Sequence, residues 1–242
     1  MILVFSGHGV NLTWLSNFAA MYWKQFLTSG VGKKFVMGFT GLFLVVFLII
    51  HCGINCCIFV PDQGKTFLTV AHFMGFNWIM HILELGLFAG ILLHIIQGIM
   101  LTIQNSRRRP VRYKVSHRNQ NSTWYSRSMG LLGTLILIFL VVHLSEFWGP
   151  NRYHMIIHGK ELNLFLRMKR EFSHGWVVIV YLAGLFSLFW HLLHGFHSAF
   201  RTFGLDSKKY IPLVKALGTA YSILIPVIFA LMPLSFYFKL VQ

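Results

Sequence analysis

The sequence predicts an all-α integral membrane protein with five transmembrane helices, the first four of which form a four-helix bundle. Of its 242 residues, 56% are hydrophobic and 11% are charged, whereas a soluble domain carries roughly 25% charged residues. Residues 35–60 and 216–238 contain no Asp, Glu, Lys or Arg, and about 20 apolar residues suffice to cross a bilayer. Neither stretch shows the alternation of polar and apolar residues that a barrel strand has. Both are therefore expected to be helices, in which the backbone hydrogen bonds are formed within the segment.

Turn-forming and basic segments separate the five spans, which we assign to a single membrane domain of residues 1–242. A turn cluster at 60–64 follows the first span, residues 107–110 end the second, and residues 149–151 are expected to end the third. Residues 1–20 do not show the pattern of a cleaved signal peptide, and residues 1–30 are predicted to be a cytoplasmic or interfacial lead-in. The predicted spans cover about residues 35–58, 78–104, 128–148, 174–200 and 212–238.

The basic residues predict a multi-pass membrane protein with a cytoplasmic N-terminus. The net charge is +15, and in this orientation 14 of the 21 Lys and Arg residues face the cytoplasm, as the positive-inside rule requires. They lie between apolar spans, which indicates topology and headgroup contacts and argues against nucleic-acid binding. The third linker is basic although it lies outside, and its residues 162–166 are expected to form a helix on the membrane surface.

Four of the 13 histidines lie at matching depths in alternate spans. His51 and His143 lie 17 and 16 residues beyond the basic residues that precede the first and third spans. His94 and His191 lie 13 and 10 residues before the basic residues that follow the second and fourth spans. At the rise of an α-helix, the two levels differ by roughly 8 Å.

Two facing imidazoles at one depth suit a haem iron, which takes one axial nitrogen from each side. The bundle is therefore predicted to bind two haems, with His51, His94, His143 and His191 as the axial ligands. A zinc or copper site needs three or four ligands converging on one metal, which two separate levels do not offer. Several glycines near the histidines could leave room for a macrocycle or simply allow close helix packing. They are Gly41, Gly53, Gly90, Gly98, Gly130, Gly133, Gly184 and Gly195.

The fourth span offers three histidines, His191, His194 and His197. His194 lies one turn nearer the basic end of the span, 7 residues before Arg201, and so matches the depth of His94 less well. We favour His191 as the ligand and keep His194 as the alternative.

Local segments around the histidines add a second pattern. They are Gly32-Lys33-Lys34-Phe35-Val36-Met37, Thr40-Gly41-Leu42 before His51, Asn55 four positions after His51, and His191-Leu192-Leu193-His194-Gly195 followed by Ser198 and Gly204. Together with the ordered histidines, they resemble the diheme cytochrome b membrane subunit of succinate:quinone oxidoreductases and fumarate reductases. The likeness is closest to the single-subunit, five-helix anchor and extends from about residue 30 to residue 240.

That resemblance implies a proximal haem b between His94 and His191 and a distal haem b between His51 and His143. It also implies a flavoprotein and an iron–sulfur subunit on the cytoplasmic face, and electron transfer to a membrane quinone, menaquinone or ubiquinone, in the respiratory chain. The chain would then be a subunit of succinate dehydrogenase or fumarate reductase, not a complete enzyme. Some fumarate reductases carry a glutamate for proton transfer two positions before the fourth-helix ligand, where this chain has Phe189.

Ionisable residues at membrane depth are further candidates. Glu84 lies one turn from His81, and the two could relay a proton to or from a quinone or form a locally satisfied pair. Glu146 lies one turn beyond His143 and could lie close to the distal haem or be exposed to water at the helix end, of which we favour exposure. Arg127, just before the third span, could pair with a haem propionate or anchor the helix at the inner face.

Three other functions stay open at this point. The cytochrome b subunits of formate dehydrogenases, hydrogenases and nitrate reductases also hold two haems, usually with another distribution of histidines. A histidine-rich transporter for metal ions or protons would need acids near the midplane and a broken helix. A structural anchor without haem would leave the depth-matched histidines unexplained.

Overall fold

The computed structural model describes residues 29–107 and 123–241 together with Tyr22 and Gln25, and these residues form helices and turns without any strand. Five helices are long and apolar enough to span a membrane, which confirms the predicted all-α membrane fold. Most of the predicted lead-in and the basic linker of residues 108–122 lie outside the described residues. The spanning helices, numbered first to fifth below, are Gly30–Phe59, Trp78–Arg107, Met129–His158, Gly175–Thr202 and Ile211–Tyr237.

The connection between the first and second spanning helices is largely helical. The first spanning helix closes in a 3₁₀ turn, and the chain then reverses through Gln63 and Gly64, whose φ angles of 61° and 79° are left-handed. A side chain on Gly64 would collide with the ring of Phe165. A helix that the sequence did not predict, Lys65–Phe76, follows this turn.

Asp62 stabilises the start of that helix. Its carboxylate accepts hydrogen bonds from the backbone N–H (2.8 Å) and the hydroxyl (2.5 Å) of Thr66. These bonds favour the charged carboxylate and hold the pKa of Asp62 below its usual range. The acid thus serves one of the backbone donors that the first turn of a helix leaves free.

The third spanning helix continues past the residues that were expected to end it. A π turn joins its two α-helical parts, and Pro150 lies in the first turn of the second part, where a proline ring is tolerated. Because Pro150 has no N–H, it cannot donate to the carbonyl of Glu146 four residues earlier, and Nε of Arg167 donates to that carbonyl instead. The parts are Met129–His143, the π turn Leu144–Trp148 and Gly149–His158.

A short amphipathic helix, Leu164–Glu171, lies at one end of the bundle, close to the surface helix expected at residues 162–166. The side chain of Asn163 caps it by accepting a backbone N–H one turn further on (2.9 Å). Phe165 is buried beneath it and packs against Phe236 of the fifth spanning helix, with ring centroids 5.4 Å apart. The helix therefore closes this end of the bundle with its apolar face.

The first four spanning helices form a four-cornered bundle. The first packs beside the second and the fourth, and the third packs beside the fourth and, more lightly, the second. The first and third helices therefore face each other across one diagonal, and the second and fourth face each other across the other. The fifth helix packs along the fourth and also touches the first, where the Tyr221 hydroxyl donates to the carbonyl of Val45 (2.8 Å).

The two ends of the bundle differ in charge and in cover. At one end the start of the first helix meets the end of the fourth, with the rings of Phe35 and Phe203 5.1 Å apart. We call this the basic end, and the opposite end, closed by the helix Leu164–Glu171, the loop end. The described basic residues at the basic end are Lys33, Lys34, Arg107, Arg127, Arg201, Lys208, Lys209 and Lys215.

Candidate functional site

The four histidines favoured from the sequence form two pairs, each across one diagonal of the bundle. The rings of His94 and His191, nearer the basic end, have centroids 6.1 Å apart and planes inclined at 66°. The rings of His51 and His143, nearer the loop end, have centroids 5.9 Å apart and planes inclined at 84°. Each pair thus connects two helices that do not pack directly against each other.

Small residues border the His94–His191 pair. A β-carbon on Gly41 would lie 3.5 Å from Cε1 of His94, and one on Gly133 would lie 3.8 Å from Cε1 of His191. These glycines belong to the first and third helices, which do not supply this pair. The sides of the pair therefore carry little side-chain bulk, as a flat macrocycle between the imidazoles would require.

Ten residues separate the two levels on each of three helices. On each of these helices, one residue lies at the level of the His94–His191 pair. The residue ten positions away lies at the level of the His51–His143 pair. Ten residues of α-helix rise about 15 Å, so the earlier figure of roughly 8 Å was too small. That figure took charged residues as markers of the helix ends, but the helices start and end at different distances from them. The couples are Gly41 and His51, Gly133 and His143, and Tyr181 and His191.

The hydrogen bonds of Thr40 favour one tautomer of His94. Its hydroxyl lies 2.8 Å from the carbonyl of Val36, to which it donates, and its oxygen lies 3.1 Å from Nδ1 of His94. With the hydroxyl proton directed at Val36, the oxygen accepts from Nδ1–H, and Nε2 of His94 keeps the free lone pair. A histidine held in this way presents Nε2 to a metal.

A hydrogen-bonded chain has the same effect on His143. The Tyr181 hydroxyl donates to Oε2 of Glu146 (2.8 Å), and its oxygen lies 3.4 Å from Nδ1 of His143. Because the tyrosine proton is directed at the carboxylate, the oxygen accepts from Nδ1–H and leaves Nε2 with the lone pair. The expectation that Glu146 is simply exposed to water is therefore wrong, because its carboxylate binds Tyr181 and is half-buried.

The other two histidines have different surroundings. Nδ1 of His51 lies 3.4 Å from the amide nitrogen of Asn55, which donates to the His51 carbonyl at 2.8 Å. Phe47 stacks on the His51 ring at 5.2 Å, and Phe229 of the fifth helix contacts it at 5.5 Å. Nδ1 of His191 is buried and has no hydrogen-bond partner among the described residues. The four histidines are thus chemically unequal.

The spacing of both pairs fits two imidazoles on opposite faces of one metal ion. Metal–nitrogen bonds of about 2.0 Å and an imidazole ring radius of about 1.1 Å put two trans ring centroids roughly 6.2 Å apart. The two observed separations are 6.1 Å and 5.9 Å. Paired imidazoles in an apolar bundle are a donor set that haem iron accepts in its axial positions. The residues present therefore fit two bis-histidine haem irons.

Two other candidates at the basic end, His194 and Arg127, belong to neither of these ring pairs. His194 packs against Tyr125, with ring centroids 6.4 Å apart, while His94 faces His191. Arg127 is exposed at the end of the short helix Trp124–Arg127, directly before the third spanning helix.

Glu84 lies in a polar cluster towards the loop end. Nη2 of Arg152 donates to its Oε2, Nε1 of Trp148 donates to its Oε1 (2.6 Å), and Nδ1 of His81 lies 3.6 Å from its Oε2. A cavity of about 220 Å³ lies beside these groups, lined also by Leu85 and Phe88. The sequence did not predict that Arg152 and Trp148 bind Glu84. For Arg152 the reason is that the third helix was expected to end at residues 149–151, before reaching it.

Comparison with models of known protein families, with curated proteins and with solved structures gives no match to this chain. Its function has to be inferred from the two histidine pairs, the groups bonded to them and the polar cluster around Glu84.

Proposed function

We propose that this chain is the membrane anchor and cytochrome b subunit of a succinate:quinone oxidoreductase, a succinate dehydrogenase or fumarate reductase. In that function it passes electrons between an iron–sulfur subunit and quinone in the inner membrane. The iron–sulfur subunit and a flavoprotein with the dicarboxylate site would dock on the cytoplasmic, basic end. The observation that supports this proposal most directly is the presence of two facing histidine pairs, His94–His191 and His51–His143, at separate levels.

Haem b bound between paired imidazoles supplies a one-electron Fe(III)/Fe(II) couple. In each pair, the two histidines would hold the haem between two helices, and the bound group would serve electron transfer and not substrate chemistry at the metal. The protein's apolar helices keep water away from the two sites, and Thr40 and Tyr181 keep His94 and His143 oriented with Nε2 free. Arg127 is the candidate partner of a haem propionate at the basic end.

For the quinone we propose the cavity beside Glu84, at the end of the bundle opposite the iron–sulfur subunit. Reduction of a quinone takes up protons, and Glu84 and His81 are ionisable groups beside that cavity. Arg152 pairs with Glu84, which keeps a carboxylate stable at membrane depth. Menaquinone and ubiquinone are both compatible with this assignment.

Haem content tests the proposal. The native membrane complex should contain two low-spin haems b per chain in a pyridine haemochrome assay. His51→Ala and His94→Ala should each lose one haem, because each removes one ligand of one pair. The matched control is His72→Ala, since His72 is exposed, pairs with Glu161 and lies outside both pairs. A correctly inserted but colourless protein would contradict the proposal and favour a transport function.

Subunit composition and electron donors test the specific complex. The purified complex should contain a flavoprotein and an iron–sulfur protein, and succinate should reduce at least one of the haems. Co-purification of a molybdenum or nickel protein instead would assign the chain to another quinone-linked dehydrogenase or reductase.

A further inference from the structure

The two histidine pairs differ in the groups that hold their Nδ1 atoms. At the His94–His191 pair, the hydroxyl of Thr40 is the acceptor for His94, and its own proton is directed at a backbone carbonyl. Nδ1 of His191 has no partner among the described residues. At the other pair, Nδ1 of His143 meets a tyrosine whose proton is directed at the carboxylate of Glu146. Among the described residues, this last contact is the only Nδ1 contact of the four histidines that is linked to an anionic side chain.

We propose that Tyr181 and Glu146 are positioning residues that lower the reduction potential of the iron bound by His51 and His143. This inference rests on the proposed function, because it requires a haem iron between these two histidines. Tyr181 and Glu146 do not touch the iron, and they act on it through Nδ1 of His143.

The chain of hydrogen bonds is held from both ends. Tyr181 is 5% exposed, and its ring packs against Phe139 and Phe172 at centroid distances of 5.1 Å and 5.0 Å. Glu146 lies in the π turn, where Nε of Arg167 donates to its backbone carbonyl. The hydroxyl and the carboxylate therefore have little freedom to leave His143.

The direction of the effect follows from ligand chemistry. An acceptor that draws the Nδ1 proton of an imidazole towards itself makes Nε2 a stronger electron donor to the metal. A stronger donor stabilises Fe(III) relative to Fe(II) and lowers the reduction potential. Tyr181 is a better acceptor when its own proton is bound to a carboxylate, because consecutive hydrogen bonds polarise one another.

A redox titration of the haems in the intact complex tests this inference. Tyr181→Phe removes the hydroxyl and keeps the ring, and Glu146→Gln removes the charge. Each should raise the potential of the haem that is lost in His51→Ala and leave the other haem unchanged. For Tyr181→Phe we expect at least a tenfold rise in the ratio of reduced to oxidised haem at a fixed potential, a shift of about 59 mV for a one-electron couple.

Two further variants separate this effect from general damage. Tyr221→Phe removes a hydroxyl that binds the carbonyl of Val45 and no histidine, and it should move neither potential. Thr40→Val removes the acceptor of His94 and should raise only the potential of the haem that is lost in His94→Ala. The low-temperature electron paramagnetic resonance signal of one oxidised haem should change in Tyr181→Phe, since its axial ligand field changes.

The outcomes distinguish the inference from the function on which it rests. A wild-type complex without haem overturns both. Two haems in the wild type with unchanged potentials in both Tyr181→Phe and Glu146→Gln overturn only the inference, as does an equal shift of both haems. If Tyr181→Phe fails to assemble, Glu146→Gln tests the inference alone: it should raise the potential of the haem that is lost in His51→Ala and of no other.

Discussion

Glu84 is the ionisable residue on which the proposed quinone site at the loop end of the bundle depends. A carboxylate at membrane depth is costly unless it is paired, and Glu84 has donors in Arg152 and Trp148. We expect Glu84→Gln to lower the rate of quinone reduction by about a hundredfold, the lower end of what a positioned acid or base contributes, while both haems are retained. The measurement is quinone reductase activity of the assembled complex, with haem content assayed in parallel.

The control for this prediction is another carboxylate at the loop end. Glu161 pairs with His72 at 3.1 Å, away from the cavity beside Glu84. Glu161→Gln should therefore leave the rate of quinone reduction unchanged. An unchanged rate in Glu84→Gln, with normal haem content, would remove Glu84 from the proposed quinone site.

At the level of single residues, the sequence predicted which histidines lie at the same depth in the membrane. It did not predict which side chains of other helices bind them. His51, His94, His143 and His191 could be sorted into two levels because depth depends only on distance along a helix. Tyr181 could not be connected with His143, because a contact between helices also depends on how each helix is rotated. A usable signal existed, since Tyr181 is a polar group ten residues before His191, the spacing that separates the two levels elsewhere.

At the scale of helices, Gly184 allows the third and fourth spanning helices to approach closely. A β-carbon on Gly184 would lie 2.5 Å from Cγ of Phe139, and the Phe139 ring stacks on His143 at 5.8 Å. We expect Gly184→Ala to destabilise the protein by about 1–3 kcal/mol, the usual cost of overpacking. Thermal unfolding of the purified protein, followed by circular dichroism, measures this loss.

Gly53 provides the matched control for Gly184. It lies in the first spanning helix, and a β-carbon there would meet nothing within 4 Å. Gly53→Ala should leave the midpoint of unfolding unchanged or raise it, because alanine is favoured over glycine inside a helix. Equal midpoints for both variants would show that the third and fourth helices can separate without cost.

The helices themselves were predictable from composition, whereas their ends and connections were not. Five apolar stretches suffice to find five spans, since crossing a bilayer sets a minimum length. The stop expected at residues 149–151 was wrong because Pro150 can begin a helical turn as well as end one. Its missing N–H is compensated at the carbonyl of Glu146 by Arg167, a residue 21 positions away from that carbonyl along the chain.

At the scale of the whole molecule, the second spanning helix is the least secured part of the bundle. None of the residues in Trp78–Arg107 is buried, and this helix packs mainly along the first. A group that binds both His94 and His191 would tie it to the fourth helix across the diagonal. A ligand present at 1,000 times its dissociation constant stabilises the folded state by about 4.1 kcal/mol.

Haem depletion tests this expectation. Protein produced in a host blocked in haem synthesis should unfold at a lower temperature than haem-replete protein. Hydrogen exchange followed by mass spectrometry should show the largest loss of protection in the second helix. The fifth helix carries no ligand and packs along the fourth, so its protection should change least. Identical exchange in both preparations would contradict the proposal that a bound haem ties the second helix to the fourth.

The diagonal placement of the pairs also has a consequence for the order in which the protein is made. Chains are synthesised from the N-terminus, so His51 and His143 have both emerged from the ribosome before His191 has been translated. If both pairs bind haem as proposed, the site nearer the loop end could receive its haem first, while the site nearer the basic end would have to wait for the fourth helix. That helix also carries Tyr181, so the contact proposed to tune the first haem would form only after both of its histidines are in place.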